Sequence, residues 1–191
     1  MLLADLLSKS NILDPWLQDK GIGFSALVVK PEMNGICNPM NDLPMMPQKI
    51  PDGVDFCLVT HIHPDHFTED YLPKGIKIVV QNEEDKQTIR TMRFSDVIAL
   101  EGNEFSIGSI TVTKVPAVHG DNAAVAEEMG CVSGFILSGE DKTLYIAGDT
   151  VFYYGIKRTL EEYKPDVIVP NCCEATLPLG RFRHIFAGCV A

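Results

Sequence analysis

The sequence has 191 residues, 46% of them hydrophobic and 22% charged, with a formal net charge of −10 at pH 7. These values are typical of one globular domain with a substantial core, so we expect residues 1–191 to form a single domain. The acidic surface disfavours binding to nucleic acid and to anionic membranes, because both require patches of lysine and arginine. No apolar run reaches membrane-spanning length, and we expect no membrane association.

The cysteines and the start of the chain indicate a reducing compartment. Six cysteines occur, at positions 37, 57, 131, 172, 173 and 189, without CxxC spacing. Cys57 and Cys131 lie in apolar stretches and are predicted to be small core residues. Residues 1–7 are apolar but contain Asp5, and neither a preceding positive charge nor a small-residue cleavage site marks a secretory signal. We therefore expect a cytoplasmic protein with reduced thiols.

The first fifty residues give weak structural signals. Leucines at positions 2, 3, 6 and 7 have helical spacing, although a strand over part of this stretch is compatible with them. Residues 26–29 favour a short strand. Residues 31–51 are rich in Pro, Met and Asn and predict a long loop. Its methionines either line a substrate pocket or fill gaps under the loop, and the second use is the commoner one.

Three histidines and a carboxylate follow the apolar run at residues 56–59. The segment reads Thr60-His61-Ile62-His63-Pro64-Asp65-His66. If the apolar run is a strand, alternation carries His61 and His63 to the same side, and the next proline turns Asp65 and His66 toward the same point. Imidazole and carboxylate are usual ligands of zinc and other first-row divalent ions. Histidines without a role are the alternative, but clustering at ligand spacing favours a metal site.

The next elements alternate between strand and helix. Residues 77–81 predict a buried strand, and Asn82 is a good N-cap for a helix over about 83–92. The acids at positions 83–85 are typical of a helix start and are interpreted as such rather than as metal ligands. Residues 97–100 predict another strand.

A hairpin over residues 104–115, with its turn about Gly108, leads to His119. As a lone residue, His119 is equally a loop histidine with a structural hydrogen bond. At a strand end, in a chain that already holds a three-histidine cluster, it is predicted to be a metal ligand. Residues 121–129 are predicted to be a surface excursion near the site.

The following segment predicts three strands and one amphipathic helix. The strands lie at 132–137, 143–147 and 167–169, and the helix lies at 156–163. Gly148 allows a sharp turn that presents Asp149 at the end of the second of these strands. A lone Gly-Asp-Thr is a cap or a turn, and only the histidine cluster favours a metal ligand here.

Several of these segments resemble the metallo-β-lactamase superfamily. They are residues 12–16 (its strand-end (L/I)-D-P), 61–66 (its HxHxDH signature), 118–120 (its third-histidine loop), 147–150 (its GDT loop) and 167–171 (the strand after that loop). The resemblance extends over about residues 11–180 and is strongest to the branch of ascorbate-phosphate-lactonase-like hydrolases. It implies an α/β (α+β) chain folded as a four-layer αβ/βα sandwich.

The ends of the chain depart from that family's pattern. Relatives begin with two adjacent strands and continue past residue 180 with a helix, a strand and a last metal-binding histidine. Here His184 stands in a basic and aromatic setting and is a weak candidate for that ligand. We expect a sandwich that is incomplete at the C-terminus, with an N-terminus that is either truncated or divergent. An exposed sheet edge then predicts a homo-oligomer.

The resemblance also implies a dinuclear site. Its ligands are His61, His63 and His119 for one divalent ion, Asp65 and His66 for a second, and Asp149 as a bridge between the two. Two ions about 3.5–4 Å apart can share a hydroxide that is nucleophilic at neutral pH. Asp65 would orient that water and later pass a proton, which makes it the predicted catalytic residue. Zinc suits the histidine and carboxylate set, with manganese and iron as alternatives.

The predicted function is metal-dependent hydrolysis of a small ester, lactone, thioester or phosphoester. The alternative is an inactive or weakly active metal-binding protein of the same fold, because the last histidine is missing. A nuclease of this fold is disfavoured by the negative charge and by the lack of a nucleic-acid module. A flavodiiron redox protein is disfavoured by the histidines at positions 61 and 63 together.

Overall fold

The computed structural model describes residues 56–63, 66–67, 69, 72–170, 174–177 and 180–183. The elements within these ranges are, in chain order, β1 (Phe56–Val59), β2 (Lys77–Val80), α1 (Glu83–Thr91), β3 (Val97–Ala99), β4 (Glu104–Ile107), β5 (Ile110–Pro116), α2 (Ala123–Met129), β6 (Ser133–Ser138), β7 (Leu144–Ile146), α3 (Tyr154–Tyr163), β8 (Val167–Val169), β9 (Glu174–Leu177) and β10 (Gly180–Arg183).

The first sheet is parallel, with the strand order β1-β2-β3. Its strands are short apolar runs rich in β-branched residues, such as Ile78, Val79 and Val80, which are fully buried. Parallel neighbours require a crossover, and α1 supplies it between β2 and β3. Asn82 caps α1, because its Oδ1 accepts a hydrogen bond of 2.7 Å from the backbone N–H of Asp85. The predicted strand, cap and helix are confirmed.

The second sheet has the order β4-β5-β6-β7-β8, and its pairs are antiparallel except for β7 with β8. β4 and β5 form the predicted hairpin, and Gly108 in its turn has φ +58°. α3 is the crossover that makes β7 and β8 parallel. The strands and the helix predicted for this segment are confirmed, with ends that shift by one or two residues.

Alternation along the strands sends neighbouring side chains into different layers of the core. Ile78 belongs to a cluster shared with α1. Its neighbour Val79 packs in a second cluster, between the two sheets, with Phe135. On β6, Ile136 points the opposite way from Phe135 and clusters with Ile156 of α3. The layers are therefore helix, sheet, sheet and helix, which confirms the predicted α/β fold and the αβ/βα sandwich.

Three features of the described chain differ from the sequence-based expectations. The predicted surface excursion contains the helix α2, which Asn122 caps by accepting a hydrogen bond of 3.0 Å from Val125 N–H. β9 and β10 form an antiparallel hairpin that no sequence pattern predicted. The prediction that Cys131 is a core residue is wrong: it is exposed, because it lies in the link between α2 and β6, before the buried strand begins. Cys57 does pack against the first cluster.

Some predictions fall on other parts of the chain. Those for residues 1–55, for Asp65 and for His184 lie outside the described residues. The single domain and the homo-oligomer stay predictions. Among the residues that the structure describes, no helix is long and apolar enough to cross a membrane.

Candidate metal centre

Three histidines converge where the chain leaves β1. His61 and His63 follow the strand directly, and their ring centroids lie 4.6 Å apart, as alternation along an extended chain predicts. A turn then brings the chain back, because the backbone N–H groups of His66 and Phe67 both donate to the carbonyl of His63, at 2.9 and 2.8 Å. The ring centroid of His66 consequently lies 4.2 Å from that of His61. Phe67 is buried in the core and anchors the turn.

His119 reaches the same place from the loop after β5. Its ring centroid lies 5.2 Å from that of His61 and 5.1 Å from that of His63. The next residue, Gly120, has φ +154°, and a Cβ there would lie 2.8 Å from the backbone nitrogen of Ala126. A glycine at this position therefore lets the His119 loop pass close against α2.

Asp149 enters among the histidines from the loop after β7. Gly148 before it has φ +65°, the left-handed conformation that favours glycine. Oδ1 of Asp149 lies 3.1 Å from Nε2 of His66. Oδ2 lies 3.5 Å from Nε2 of His119 and 3.9 Å from Nε2 of His61. The carboxylate therefore faces histidines from both of the other segments.

The ligand atoms of these residues form two candidate metal-binding groups. One group is His61, His63 and His119, and the other is His61, His66 and Asp149; within each group the ligand atoms all lie within 4.8 Å of one another. We call these five residues the histidine cluster. The first group is the set that the resemblance implies for the first ion. The second group contains His61 as well, beside Asp149. The sequence did not predict that His61 belongs to both groups.

His61 shows most clearly that the cluster suits a cation. It is 1% exposed, and its buried Nε2 has no hydrogen-bond partner. Burial, followed by the nearby His66, lowers the pKa of His61 to about 2, although Asp149 acts in the opposite direction. The ring is therefore neutral at pH 7. Thr60 Oγ1 lies 3.0 Å from its Nδ1, and when Nδ1–H donates to that oxygen, Nε2 presents a lone pair of the kind that binds divalent metals.

The histidine cluster is deeper on one side than on the other. His61, His119 and Asp149 are buried, whereas His63 and His66 are partly exposed. A buried imidazole without a partner costs free energy in the folded protein, and a bound cation removes that cost. The residues present therefore fit a divalent metal ion, with solvent access along the His63 and His66 side.

A second group of polar groups, which we call the amide cluster, consists of Gln81, Asp85, Ser133 and the carbonyl of Cys131. Gln81 is 3% exposed, and its Nε2 donates to Asp85 Oδ2 and to the Cys131 carbonyl, both at 2.8 Å. Its Oε1 accepts from Ser133 Oγ, also at 2.8 Å. The side-chain amide therefore has hydrogen bonds on both its nitrogen and its oxygen. Burial raises the pKa of Asp85, which the hydrogen bond from Gln81 opposes.

A cavity of about 420 Å³ is lined by residues of both clusters, including His119, Gln81 and Ser133. Lys114 also lines it, and its Nζ donates to the carbonyls of Gln81 at 2.8 Å and Leu100 at 3.1 Å. Pockets for small molecules have volumes of about 300–1,000 Å³. The space beside His119 is therefore large enough for a small organic group.

The structure brings together all the predicted ligands that it describes. Asp65, predicted to be both a ligand and the catalytic residue, lies outside the described residues. Thr60 and Thr150 belong to the site through hydrogen bonds but were missed by the sequence reasoning. The available signal was a hydroxyl next to a predicted ligand in each motif, Thr60 before His61 and Thr150 after Asp149.

Comparisons with known proteins agree with this geometry. The family model for the beta-lactamase superfamily domain matches residues 31–176. The UPF0173 protein YddR of Bacillus subtilis (strain 168) is 35% identical over 168 residues, which cover 86% of this chain and 65% of YddR. A UPF0173 metal-dependent hydrolase of Nanoarchaeum equitans (strain Kin4-M) is 31% identical over 166 residues, which cover 84% of this chain and 70% of that protein.

Among solved structures, the isothiocyanate hydrolase from Delia radicum gut bacteria matches with a TM-score of 0.63 and 29% identity. The match covers 70% of this chain and 56% of that hydrolase. A possible metal-dependent hydrolase from Veillonella parvula DSM 2008 matches with a TM-score of 0.62 and 30% identity, over 70% of this chain and 53% of the other. The chain thus spans just under two thirds of YddR and little more than half of these two hydrolases.

Proposed function

The chain belongs to the beta-lactamase superfamily, and from this premise we propose that it is a metal-dependent hydrolase. The observation that carries the proposal is the histidine cluster, in which four imidazoles and a carboxylate from three separate segments meet around a neutral, buried Nε2 of His61. Relatives in the same family are named metal-dependent hydrolases. A cluster built only for folding would instead have hydrogen bonds for each of its buried polar atoms.

Two divalent ions, when bound, supply Lewis acidity and lower the pKa of coordinated water. We propose that His61, His63 and His119 hold one of them. His66 and Asp149 hold the other, with Asp65 as the proposed additional ligand. Zinc is the proposed metal, because neutral imidazoles with carboxylate are a usual zinc ligand set.

The protein's own residues would do three things in this reaction. His61 and His119 hold their positions because they are buried between loops, which fixes the ligand geometry before substrate arrives. The partly exposed side at His63 and His66 is the proposed route for substrate. Asp65 is the proposed catalytic residue that orients water and passes a proton to the leaving group.

The proposed substrates are small molecules with one electrophilic centre. Esters, lactones, thioesters and phosphoesters share this property, and the cavity beside His119 is of a size to receive a small substituent. The structural neighbour from Delia radicum gut bacteria is an isothiocyanate hydrolase, so isothiocyanates belong among the first substrates to assay. The absence of nucleic-acid partners and the cytoplasmic location stay predictions, and a salt-dependent gel shift with RNA or DNA would revive the nuclease alternative.

Elemental analysis of the purified protein tests the proposal most directly. We expect two divalent ions per chain in the wild type and fewer in His119→Ala and in Asp149→Ala, with hydrolysis that a chelator abolishes. Glu84→Gln is the control, because Glu84 is an exposed acid in the first turn of α1. If neither ligand substitution lowers the metal content, the ligand assignment is wrong. Bound ions without chelator-sensitive hydrolysis would instead favour the inactive metal-binding protein.

A further inference from the structure

Thr150 connects two of the loops that carry the proposed ligands. It is 0% exposed, and its Oγ1 accepts a hydrogen bond of 3.0 Å from the backbone N–H of Val118. The same hydroxyl donates to the carbonyl of Val151 at 3.1 Å. Val118 directly precedes His119, and Thr150 directly follows Asp149. The hydrogen bond to Val118 therefore joins the neighbours of two ligands.

A second hydrogen bond joins the same two loops. The backbone N–H of Val151 donates to the carbonyl of Val118 at 2.9 Å. Both backbone polar groups of Val118 are thus bound by the Asp149 loop, one by a main-chain N–H and one by the Thr150 hydroxyl. A single hydrogen bond leaves the loops free to rotate about it, whereas two at different points fix their relative orientation.

The relative orientation of these loops decides where His119 and Asp149 meet. Nε2 of His119 lies 3.5 Å from Oδ2 of Asp149, and the two residues belong to different candidate groups around the shared His61. Metal binding depends on ligand positions within a few tenths of an ångström, and loops on their own do not hold such positions. A buried hydroxyl that locks the two loops therefore acts on metal affinity.

We infer that Thr150 is a positioning residue that keeps the His119 and Asp149 loops in register for binding of a divalent metal ion. This inference rests on the proposed function, since it concerns the same site. Thr150 does not itself offer a ligand to the ion; it acts through Val118. The competing explanation is that its hydroxyl only contributes to folding stability, as any buried and bonded hydroxyl does.

Three variants separate the two explanations. Thr150→Val keeps the shape of the side chain and removes the hydroxyl, and Thr150→Ser keeps the hydroxyl. Thr159→Val is the matched control, because Thr159 is 4% exposed and its Oγ1 donates to the carbonyl of Gly155 within α3, away from the ligand loops. Zinc affinity is measured by competition with a chromophoric chelator, and exchange of the Val118 amide hydrogen is followed in the metal-free protein.

We expect Thr150→Val to weaken zinc binding by about 10–100-fold, the range for partners that orient metal ligands, and to speed exchange at Val118. Thr150→Ser should stay within a few-fold of the wild type in both measurements. Thr159→Val should lower the melting temperature without changing zinc affinity. Wild-type zinc affinity in Thr150→Val, or an equal loss in Thr159→Val, overturns the inference while the proposed function stands. A wild type that binds neither zinc, manganese nor iron overturns both.

Discussion

Residues of the histidine cluster and of the amide cluster line the same cavity. The two clusters differ in whether their buried polar atoms have hydrogen-bond partners. Gln81 has hydrogen bonds to Asp85, to Ser133 and to the Cys131 carbonyl. His61 is buried just as deeply, and its Nε2 has none. Folding alone therefore gives the Gln81 amide its hydrogen-bond partners, but it gives none to Nε2 of His61.

This contrast separates a buried polar group that stabilises the fold, the Gln81 amide, from one that suits ligand binding, the His61 imidazole. Each hydrogen bond of Gln81 contributes about 1 kcal/mol to stability, so the amide cluster offsets its own desolvation. Burial keeps the His61 ring neutral, and the other rings of the histidine cluster pack beside it, which destabilises the metal-free protein. A bound cation reverses that balance. Four perturbations would break or sharpen this contrast.

Metal loading should give the largest effect. Saturating zinc at about 1,000 times its dissociation constant is expected to raise the free energy of unfolding by about 4 kcal/mol, because the ion binds the folded state. Thermal denaturation with and without chelator measures this difference. It should be smaller in His119→Ala, which removes a ligand of one candidate group, and persist in full in Gln81→Ala. Equal metal stabilisation in both variants would contradict the conclusion that the histidine cluster, and not the amide cluster, binds the metal.

Gly148→Ala should give the next largest effect, because this glycine lies where the two clusters meet. Its φ is +65°, and an added Cβ would lie 3.0 Å from the Ser133 carbonyl oxygen and 3.2 Å from Val132 Cγ2. The strained backbone and the close contacts together should cost about 2–3 kcal/mol and weaken zinc binding by displacing Asp149.

Gly108→Ala is the control for that substitution. Gly108 has φ +58°, but an added Cβ would have nothing within 4 Å. Only the backbone cost of about 1 kcal/mol should appear in urea denaturation, with zinc affinity unchanged. If the two alanine variants behave alike, the Gly148 contacts do not hold Asp149 in place.

Gln81→Ala tests the amide cluster itself. Loss of the side chain leaves Ser133 and the Cys131 carbonyl without their partner, and we expect a cost of about 2 kcal/mol in urea denaturation. Metal content should stay at the wild-type value. Gln87→Ala is the matched control, since Gln87 is exposed on α1 and its side chain donates to Glu83, and it should change stability by less than about 0.5 kcal/mol. If the purified Gln81→Ala protein contained no metal, the two clusters would have to act together in metal binding.

Cys131→Ser should give the smallest effect, within about 0.5 kcal/mol, because the amide cluster uses the carbonyl of Cys131 while its thiol is exposed. In the folded protein at pH 8, iodoacetamide should label Cys131 and spare Cys57, since burial raises the pKa of Cys57 to about 12 and so disfavours its reactive thiolate. Peptide mass spectrometry reads both positions. Rapid labelling of Cys57 would contradict the packing of β1.

Local sequence patterns were sufficient for most of the described fold. The β-branched run at Lys77–Val80 predicts a strand, and the cap at Asn82 predicts a helix, because both signals depend on interactions within a few residues. The helix α2 was missed although Asn122 is a good cap, because seven residues give too short a period to recognise. The strands β9 and β10 were missed because each has only four residues, too few for an alternation of polar and apolar residues to be recognised.

The site was predictable to the extent that its residues are adjacent in sequence. Spacing alone suggested that His61 and His63 share a side, whereas His119 and Asp149 became candidates only because the chain already held the three histidines, and the resemblance to a family then gave them their roles. The roles of Thr150 and Gln81 depend on hydrogen bonds across 32 and 52 residues of sequence, to Val118 and Ser133. No local pattern encodes such pairings, since the first arises when β5 and β7 enter the same sheet and the second when the two sheets pack together.

The imidazole of His61 belongs to both candidate groups but has a single lone pair to give, because Thr60 occupies its other nitrogen. An ion that takes that electron pair would have three donors from the described chain, and a second ion would have two. If two ions bind, as we propose, they would compete for this one donor and bind with unequal strength. Titration of the empty protein should be biphasic, with one tight and one weak equivalent, and the weak one sets the ion concentration at which the centre is complete.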